Sequence, residues 1–162
     1  MEEIKLLKAI EASARMSVCD LADVLNETEE NVKESIAKLE KNHIICGYHT
    51  VINWDKTNKE KVSALIEIGA TPERDTGYEK IAKQIYRYPE VSNLYLMSGK
   101  MEFLVLINGR TMREIADFVA KKLAPINQVT STETYFVLKQ YKVEGVVLDE
   151  DENEFKRQIV TP

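Results

Sequence analysis

The sequence lacks several features that would define its class at once. Its 162 residues include only two cysteines, Cys19 and Cys46, with no CxxC pair, and Met1 is followed by two glutamates, not by a basic and apolar leader. No apolar run approaches the roughly 20 residues of a membrane span. We therefore expect no disulfide scaffold, membrane span or secretory signal, and a cytoplasmic protein with reduced cysteines.

Motifs of common catalytic and metal sites are also missing. The sequence has two histidines, and neither a G-x-S-x-G motif nor a phosphate-binding loop. The spacing His43-x-x-Cys46-x-x-His49, with Cys19 as a fourth ligand, invites a metal site. However, residues three apart point to opposite faces of an extended strand, whereas metal ligands must converge. The sequence therefore predicts no enzyme, no bound metal and no cofactor.

Charge is unevenly distributed along the chain. Residues 1–61 hold nine basic and twelve acidic side chains, residues 62–142 hold eleven and nine, and residues 143–162 hold two and six. The segment net charges are therefore −3, +2 and −4, and the whole chain carries −5. Because nucleic-acid affinity depends largely on Lys and Arg contacts with phosphate, the sign of the first segment argues against tight DNA binding.

The first 52 residues have the pattern of a winged helix-turn-helix. Ser17 and Thr28 stand where N-caps are expected, and a turn of three or four residues between two helices is typical of the motif. Apolar residues at helical spacing predict three short helices, over residues 4–14, 18–25 and 29–41. The β-rich residues 44–52, interrupted by a glycine, predict a small hairpin, or wing.

A second, α+β domain is predicted after a polar linker at residues 53–61. Residues 62–142 show the order strand, helix, strand, strand, helix, strand, which builds a ferredoxin-like βαββαβ fold with an antiparallel sheet and both helices on one face. Residues 143–162 are predicted to form an acidic tail or an edge hairpin, with Phe155–Val160 as its second strand.

One predicted strand is apolar on both faces. In the strand Val91–Met97, Leu94 and Leu96 alternate with Tyr95 and Met97. A sheet with two apolar faces must bury the face that its own helices leave bare, and a second copy of the chain is the simplest partner. The sequence therefore predicts a homodimer or a larger assembly.

In three places the sequence resembles the Lrp/AsnC (feast/famine) family of transcriptional regulators. The first is the helix-turn-helix, which ends in Leu39-Glu40 and continues into Ile44-Ile45-Cys46-Gly47-Tyr48. The second is the turn 99–103, which is similar to the family's Gly-x-x-Asp turn but carries Glu102. The third is the threonine-rich strand 130–138. Their order and spacing over residues 2–142 carry the resemblance.

The resemblance implies an N-terminal domain that binds double-stranded DNA and a C-terminal domain that binds a small effector, usually an amino acid, where sensing domains meet. It also implies a homodimer, and often an octamer. The expected DNA-contacting residues are Ser17, Thr28, Asn31, Lys33, Glu34, Ser35, Lys38 and Tyr48. The expected effector-binding residues are Gly99, Lys100, Met101, Glu102, Ser131, Thr132 and Thr134. Glu102 either faces the effector's α-ammonium or caps the turn.

Two alternatives stay open. The third helix begins Thr28-Glu29-Glu30 and carries Ser35 where similar proteins usually carry Arg, so one alternative is an effector-sensing oligomer with weak or lost DNA binding. The other is an enzyme like the sirohaem decarboxylases, which share this architecture. Both histidines, however, lie outside the predicted sensing domain.

Overall fold

Two structural units make up the chain in the computed structural model, which describes residues 2–74 and 77–148. Unit 1 spans Met1–Val51 and unit 2 spans Ile52–Pro162. None of the helices in the described residues combines the length and the apolar character that crossing a bilayer requires.

Three helices form unit 1, and capping side chains set the first residues of the second and the third. The helices are α1 (Glu3–Ala12), α2 (Val18–Leu25) and α3 (Glu29–Lys41). Ser17 Oγ accepts the Asp20 N–H at 3.1 Å, and Asp20 Oδ2 accepts the Ser17 N–H at 3.2 Å, which completes a capping box. Thr28 Oγ1 accepts the Asn31 N–H at 3.3 Å. Both predicted N-caps are confirmed.

The core of unit 1 draws on the apolar stripe of each helix. Its buried side chains are Leu6, Leu21, Ala22, Val32 and Leu39. Burying a leucine of this kind contributes about 1.5–3 kcal/mol. Since Val32 and Leu39 turn one face of α3 towards this core, the opposite face of α3 is left to solvent.

The segment predicted as a wing differs from the prediction, because residues 44–52 form no strand. Most of their side chains are exposed, among them Ile44, Tyr48 and Ile52. A two-stranded hairpin is marginal unless it buries an apolar face, and this segment buries little within unit 1. The β-rich composition of this segment is therefore not enough to make it form two paired strands.

Unit 2 follows the predicted order of strands and helices. Its main elements are β1 (Val62–Ala70), α4 (Glu79–Ile85), β2 (Val91–Leu96), β3 (Phe103–Gly109), α5 (Met112–Phe118) and β4 (Val129–Phe136). A π-helical turn, Val119–Leu123, continues α5, and a 3-10 turn, Trp54–Lys56, precedes β1. The strands pair antiparallel in the order β2-β3-β1-β4, which confirms the α+β, ferredoxin-like prediction.

The two faces of this sheet have different environments. One face packs on the helices, and its core includes Ile66, Ile68, Ile81, Ile85, Phe103, Val105, Ile107, Ile115 and Phe118. Leu65, Leu104 and Leu106 alternate with those strand residues and are half-buried on the other face. Tyr95 and Tyr135 lie on that second face and are 49% and 46% exposed. We call this second surface the open face.

A short hairpin follows β4. Strands β5 (Lys142–Val143) and β6 (Val146–Val147) pair only with each other, so they do not extend the main sheet. Glu144 and Gly145 have φ values of +46° and +81°, as a two-residue type I′ turn requires. This hairpin was not predicted; the predicted one needs the strand Phe155–Val160, which lies outside the described residues, so it stays a prediction.

Candidate functional site

The solvent-facing side of α3 carries most of the residues expected to contact DNA. Asn31, Lys33, Glu34 and Lys38 are exposed, and Ser35 is half-buried. They lie on this side because the helical period places Val32 and Leu39 in the core. Asn31, Glu34, Ser35 and Lys38 have the i, i+3, i+4, i+7 spacing of one helix face, whereas Lys33 lies on the other flank of the helix.

The two lysines of this surface are paired within unit 1. Lys33 Nζ lies 3.2 Å from Glu29 Oε2 one turn earlier in α3, and Lys38 Nζ lies 3.1 Å from Glu3 Oε1 in α1. Both pairs are exposed, and exposed pairs contribute only about 0–1 kcal/mol each. A DNA phosphate can therefore displace either glutamate, but the displaced carboxylate then lies next to the phosphate.

Two further polar donors near α3 are bonded to carboxylates. Asn31 Nδ2 donates to Glu27 Oε2 at 3.2 Å, which lowers the pKa of Glu27. Tyr48 Oη donates to Glu40 Oε1 at 2.9 Å. Partial desolvation and this hydrogen bond raise the pKa of Tyr48. Tyr48 is thus held against the last turn of α3 by its hydroxyl.

The remaining predicted DNA contacts, Ser17 and Thr28, act as helix caps. Ser17 Oγ also donates to Asp20 Oδ2 at 2.6 Å, and these hydrogen bonds lower the pKa of Asp20. The Thr28 hydroxyl accepts the backbone N–H of Asn31. Each hydroxyl therefore has a structural function, whatever contacts it adds with a nucleic acid.

The net charge of unit 1 is unfavourable for binding a polyanion. Residues 1–51 contain six basic and ten acidic side chains. Within the described part of this unit, Lys8, Arg15 and Lys41 are the basic side chains that form no ion pair. Lys41 belongs to the last turn of α3, so the C-terminal end of the helix offers the most accessible positive charge.

The cysteines and histidines of unit 1 do not form a metal site. The described residues contain no group of three or more His, Cys, Asp or Glu side chains that could hold an ion. Cys46 Sγ instead donates to the His43 carbonyl at 3.1 Å. The carboxylates of Asp23 and Glu29 raise the pKa of the exposed Cys19 thiol, which keeps it protonated at neutral pH.

The turn expected to bind an effector joins β2 to β3. Gly99 and Lys100 are exposed, and Met101 and Glu102 are half-buried. A side chain at Gly99 would meet no atom within 4 Å, and its φ lies outside the left-handed region. The fold therefore does not require glycine at this position.

Glu102 is occupied within unit 2. Its Oε2 accepts the Ala70 N–H at 2.7 Å, and its own N–H donates to the Ile68 carbonyl at 3.1 Å. Glu102 therefore caps the end of β1, which is neither of the two roles expected for it.

The hydroxyl-bearing residues of β4 do not point in one direction. Ser131 pairs with Gly69, and Thr132 pairs with Ile68, so both lie near the same end of the sheet as the turn 98–102. Directly opposed residues share a face, which places Thr132 and Thr134 on the helix side with Ile68 and Ile66. Ser131 alone lies on the open face. The three predicted hydroxyls therefore cannot face one ligand, because side chains alternate along a strand.

A helix-turn-helix followed by a ferredoxin-like unit defines a class of two-unit regulator. Residues 63–147 match the family described as Lrp/AsnC ligand binding domain. Over 162 residues, covering 99% of this chain and 97% of the relative, the chain is 36% identical to the uncharacterized HTH-type transcriptional regulator YugG of Bacillus subtilis. The chain therefore belongs to the Lrp/AsnC family of transcriptional regulators.

More distant relatives share the same architecture. The leucine-responsive regulatory protein of Haemophilus influenzae is 23% identical over 86% of this chain and 84% of its own length. The structure of a transcriptional regulator from Neisseria meningitidis in complex with L-Met matches with a TM-score of 0.69 and 21% identity, over 87% of this chain and 90% of that one. This structural likeness shows the shared fold.

Proposed function

We propose that this regulator binds double-stranded DNA through α3 and responds to a free amino acid. The exposed polar face of α3, supported by a capped helix-turn-helix, is the observation that carries the proposal. In this proposal residues 1–52 are the DNA-binding domain, 53–61 the linker and 62–142 the sensing domain. Asn31 and Glu34 are suited to base edges, because Asn pairs with adenine and Glu with cytosine.

The open face supports a homodimer. It presents half-buried leucines and two exposed tyrosines, and burying apolar area gains roughly 25 cal/mol per Å². Two copies related by a two-fold axis cover each other's open faces with the same residues. The dimer then carries two α3 helices, which suits DNA half-sites about one helical turn, or roughly 34 Å, apart.

The turn 98–102 is the proposed effector site. Backbone N–H groups of an exposed turn can receive an α-carboxylate, and Ser131 supplies a hydroxyl at the same end of the sheet. The relative from Neisseria meningitidis was solved with L-Met, which supports an amino acid as ligand. Thr132 and Thr134 then contribute to the helix-side packing of β4, not to the ligand.

DNA binding by the purified chain tests the proposal directly. A duplex from the chain's own upstream region is titrated at several salt concentrations, with and without each of the twenty amino acids. We expect binding that weakens with salt and that one amino acid changes. The response should be lost in Gly99→Ala, because the added methyl blocks close approach of a ligand to the backbone without altering the fold. No salt-sensitive binding under any condition would refute the proposal.

A second candidate function is sensing without DNA binding. It is favoured by the ten acidic side chains of residues 1–51 and by the pairing of Lys33 and Lys38 with glutamates. In that case, changing Glu29 and Glu30 to lysine should produce DNA binding that the unmodified chain lacks. Tight binding by the unmodified chain at physiological salt would exclude this candidate.

A further inference from the structure

Two carboxylates lie side by side on the open face. Glu67 of β1 and Glu133 of β4 are directly opposed across the antiparallel strands, so both side chains project from the same face of the sheet. Glu67 is half-buried and Glu133 is exposed. We call these two residues the carboxylate pair. Like charges in directly opposed positions repel each other, and the repulsion grows when water is removed from around them.

A tyrosine hydroxyl confirms that both carboxylates occupy one small region. Tyr135 donates a hydrogen bond to Glu133, and this bond, with partial desolvation and the negative charges of Glu133 and Glu67, raises the pKa of Tyr135. Tyr135 therefore stays protonated at neutral pH. It supplies one donor to the carboxylate pair but no positive charge.

Basic side chains are missing from the rest of the open face. The strands of the main sheet lie wholly within the described residues, and none of their residues on this face is Lys, Arg or His. Their side chains are apolar, aromatic, hydroxyl or amide groups, such as Leu65, Tyr95 and Leu104. Just before β3, Glu102 adds a third carboxylate, which is bonded to the Ala70 N–H. Neither member of the carboxylate pair forms an ion pair among the described residues.

Two lysines reach this side of the sheet only at one end of β1. Lys61 and Lys139 line a small cleft together with Ser63, and both ammonium groups lie over aromatic rings. Ser63 precedes Glu67 by four strand residues, or roughly 13 Å. This separation exceeds the Debye length at physiological salt, about 8 Å, so these lysines offset little of the charge of the carboxylate pair.

A second copy of the chain changes the surroundings of the carboxylate pair when it covers the open face. The leucines around the pair favour association because they leave water, but the same contact also removes water from the two carboxylates. Burial without a cation favours the neutral form of a carboxyl group. One proton is enough for two adjacent carboxylates, because the protonated group then donates a hydrogen bond to its ionised neighbour.

We propose that homodimerisation through the open face takes up protons, about one per copy, at the carboxylate pair Glu67–Glu133. This inference rests on the proposed homodimer and adds a property to it. Because the dimer binds more protons than the separate copies, the dimer Kd falls as the pH falls. Assembly, and with it the pairing of two α3 helices, therefore responds to pH.

Sedimentation of the full chain tests the inference, with EDTA present so that no divalent cation replaces the proton. We expect the dimer Kd to fall at least about tenfold between about pH 8 and about pH 5.5, because each proton taken up changes Kd by as much as about tenfold per pH unit. Calorimetric dilution of the dimer in two buffers of different ionisation enthalpy counts the protons. Circular dichroism at each pH checks that the fold is retained.

Three variants assign the protons. Glu67→Gln keeps the shape and removes one charge of the pair. It should lower the dimer Kd about tenfold near pH 8 and remove most of the pH dependence, because the amide donates to the remaining carboxylate. Glu133→Gln, at an exposed position, should act alike even if Glu67→Gln fails to fold. Glu79→Gln makes the same charge change on α4, on the helix side, and should alter neither quantity.

The outcomes separate this inference from the proposed function. A dimer with the same Kd at every pH would overturn the inference and leave the homodimer intact. A pH dependence that persists in Glu67→Gln and Glu133→Gln would also overturn it, and would assign the protons to other groups, such as His43 and His49. A monomer at every pH would refute both the homodimer and the inference. A proton-linked dimer that binds no DNA would support the inference and refute the proposed function.

Discussion

The two units present opposite kinds of surface. On unit 1 the polar donors of α3 are matched by carboxylates of the same unit, as in the pairs Lys33–Glu29 and Lys38–Glu3. On the open face of unit 2, Leu65 and Leu104 are half-buried apolar side chains, and Tyr135 is hydrogen-bonded to Glu133, which raises the pKa of Tyr135. The lysines of the first surface are already paired with carboxylates of an acidic unit, whereas the second surface carries leucines and tyrosines around the two carboxylates Glu67 and Glu133.

This difference implies different responses to salt. Exchanging a glutamate for a phosphate on Lys33 gains little free energy and leaves a carboxylate near the DNA, so binding should be modest and should weaken with salt. Contacts between apolar sheet faces are insensitive to moderate salt. We therefore expect assembly to persist under conditions in which DNA binding is lost.

The largest effect is expected in the core of unit 2. Phe103 is buried and meets Tyr78 edge to face at 5.6 Å. Phe103→Ala should lower the free energy of unfolding of unit 2 by about 3–5 kcal/mol, because it leaves a cavity. Urea unfolding measures this change. Tyr86→Ala, at a tyrosine that is 53% exposed, should change it by less than about 0.5 kcal/mol. Equal losses in both variants would contradict the core assignment.

The next largest effect is expected at the open face. Leu104→Lys places a charge in the proposed dimer contact twice, once from each copy, and should raise the dimer Kd at least about 100-fold. The monomer should still fold, since position 104 lies opposite Glu67 of β1, which can pair with a lysine. Sedimentation measures the change, with Tyr86→Lys on the helix side as the control. An unchanged dimer would show that the open face is not the contact.

A smaller effect is expected at the paired surface of α3. Glu29→Gln frees Lys33 for phosphate, and should strengthen DNA binding about three- to tenfold and steepen the salt dependence by about one counterion. Titrations at several salt concentrations measure both quantities. Glu11→Gln makes the same charge change on α1 at a residue with no ion pair among the described residues. If Glu11→Gln had the same effect, net charge and not the pairing would be the cause.

The smallest effect is expected at the cap of α2. Ser17→Ala removes the capping box and should lower stability by about 1 kcal/mol, as thermal unfolding can measure. Ser17 lowers the pKa of Asp20. The hydrogen bonds between Ser17 and the Asp20 carboxylate therefore stabilise the fold fully above the ordinary aspartate pKa, about 3.9. This stabilisation is lost as the pH falls through the lowered pKa of Asp20. The destabilisation by Ser17→Ala should therefore shrink in acid.

Ser13→Ala is the matched control for the cap, since the Ser13 hydroxyl makes no hydrogen bond among the described residues. It should leave both the stability and its pH dependence unchanged. A destabilisation by Ser17→Ala that is constant from neutral pH to strong acid would contradict the role assigned to Asp20.

Local patterns predicted the elements well. The spacing Ser17-x-x-Asp20 and the apolar positions of α2 and α3 were enough to place the caps, since capping bonds join residues three apart. The predicted site was less accurate at β4, where Ser131, Thr132 and Thr134 were grouped because they are close in sequence. Strand alternation was the signal that separates them. Residues 44–52 were predicted to form a hairpin because of their β-rich composition. They form no strand, because the segment buries few of its side chains.

The sequence by itself determined the helices, the caps, the order of helices and strands along the chain and the sign of the charge on each segment, because hydrophobic period and capping depend on neighbours along the chain. Only the tertiary structure decided that Glu102 caps β1, 32 residues away, and that Glu90 meets Lys122 with one oxygen left over. Such pairs depend on how strands and helices pack in three dimensions. No local pattern records that packing.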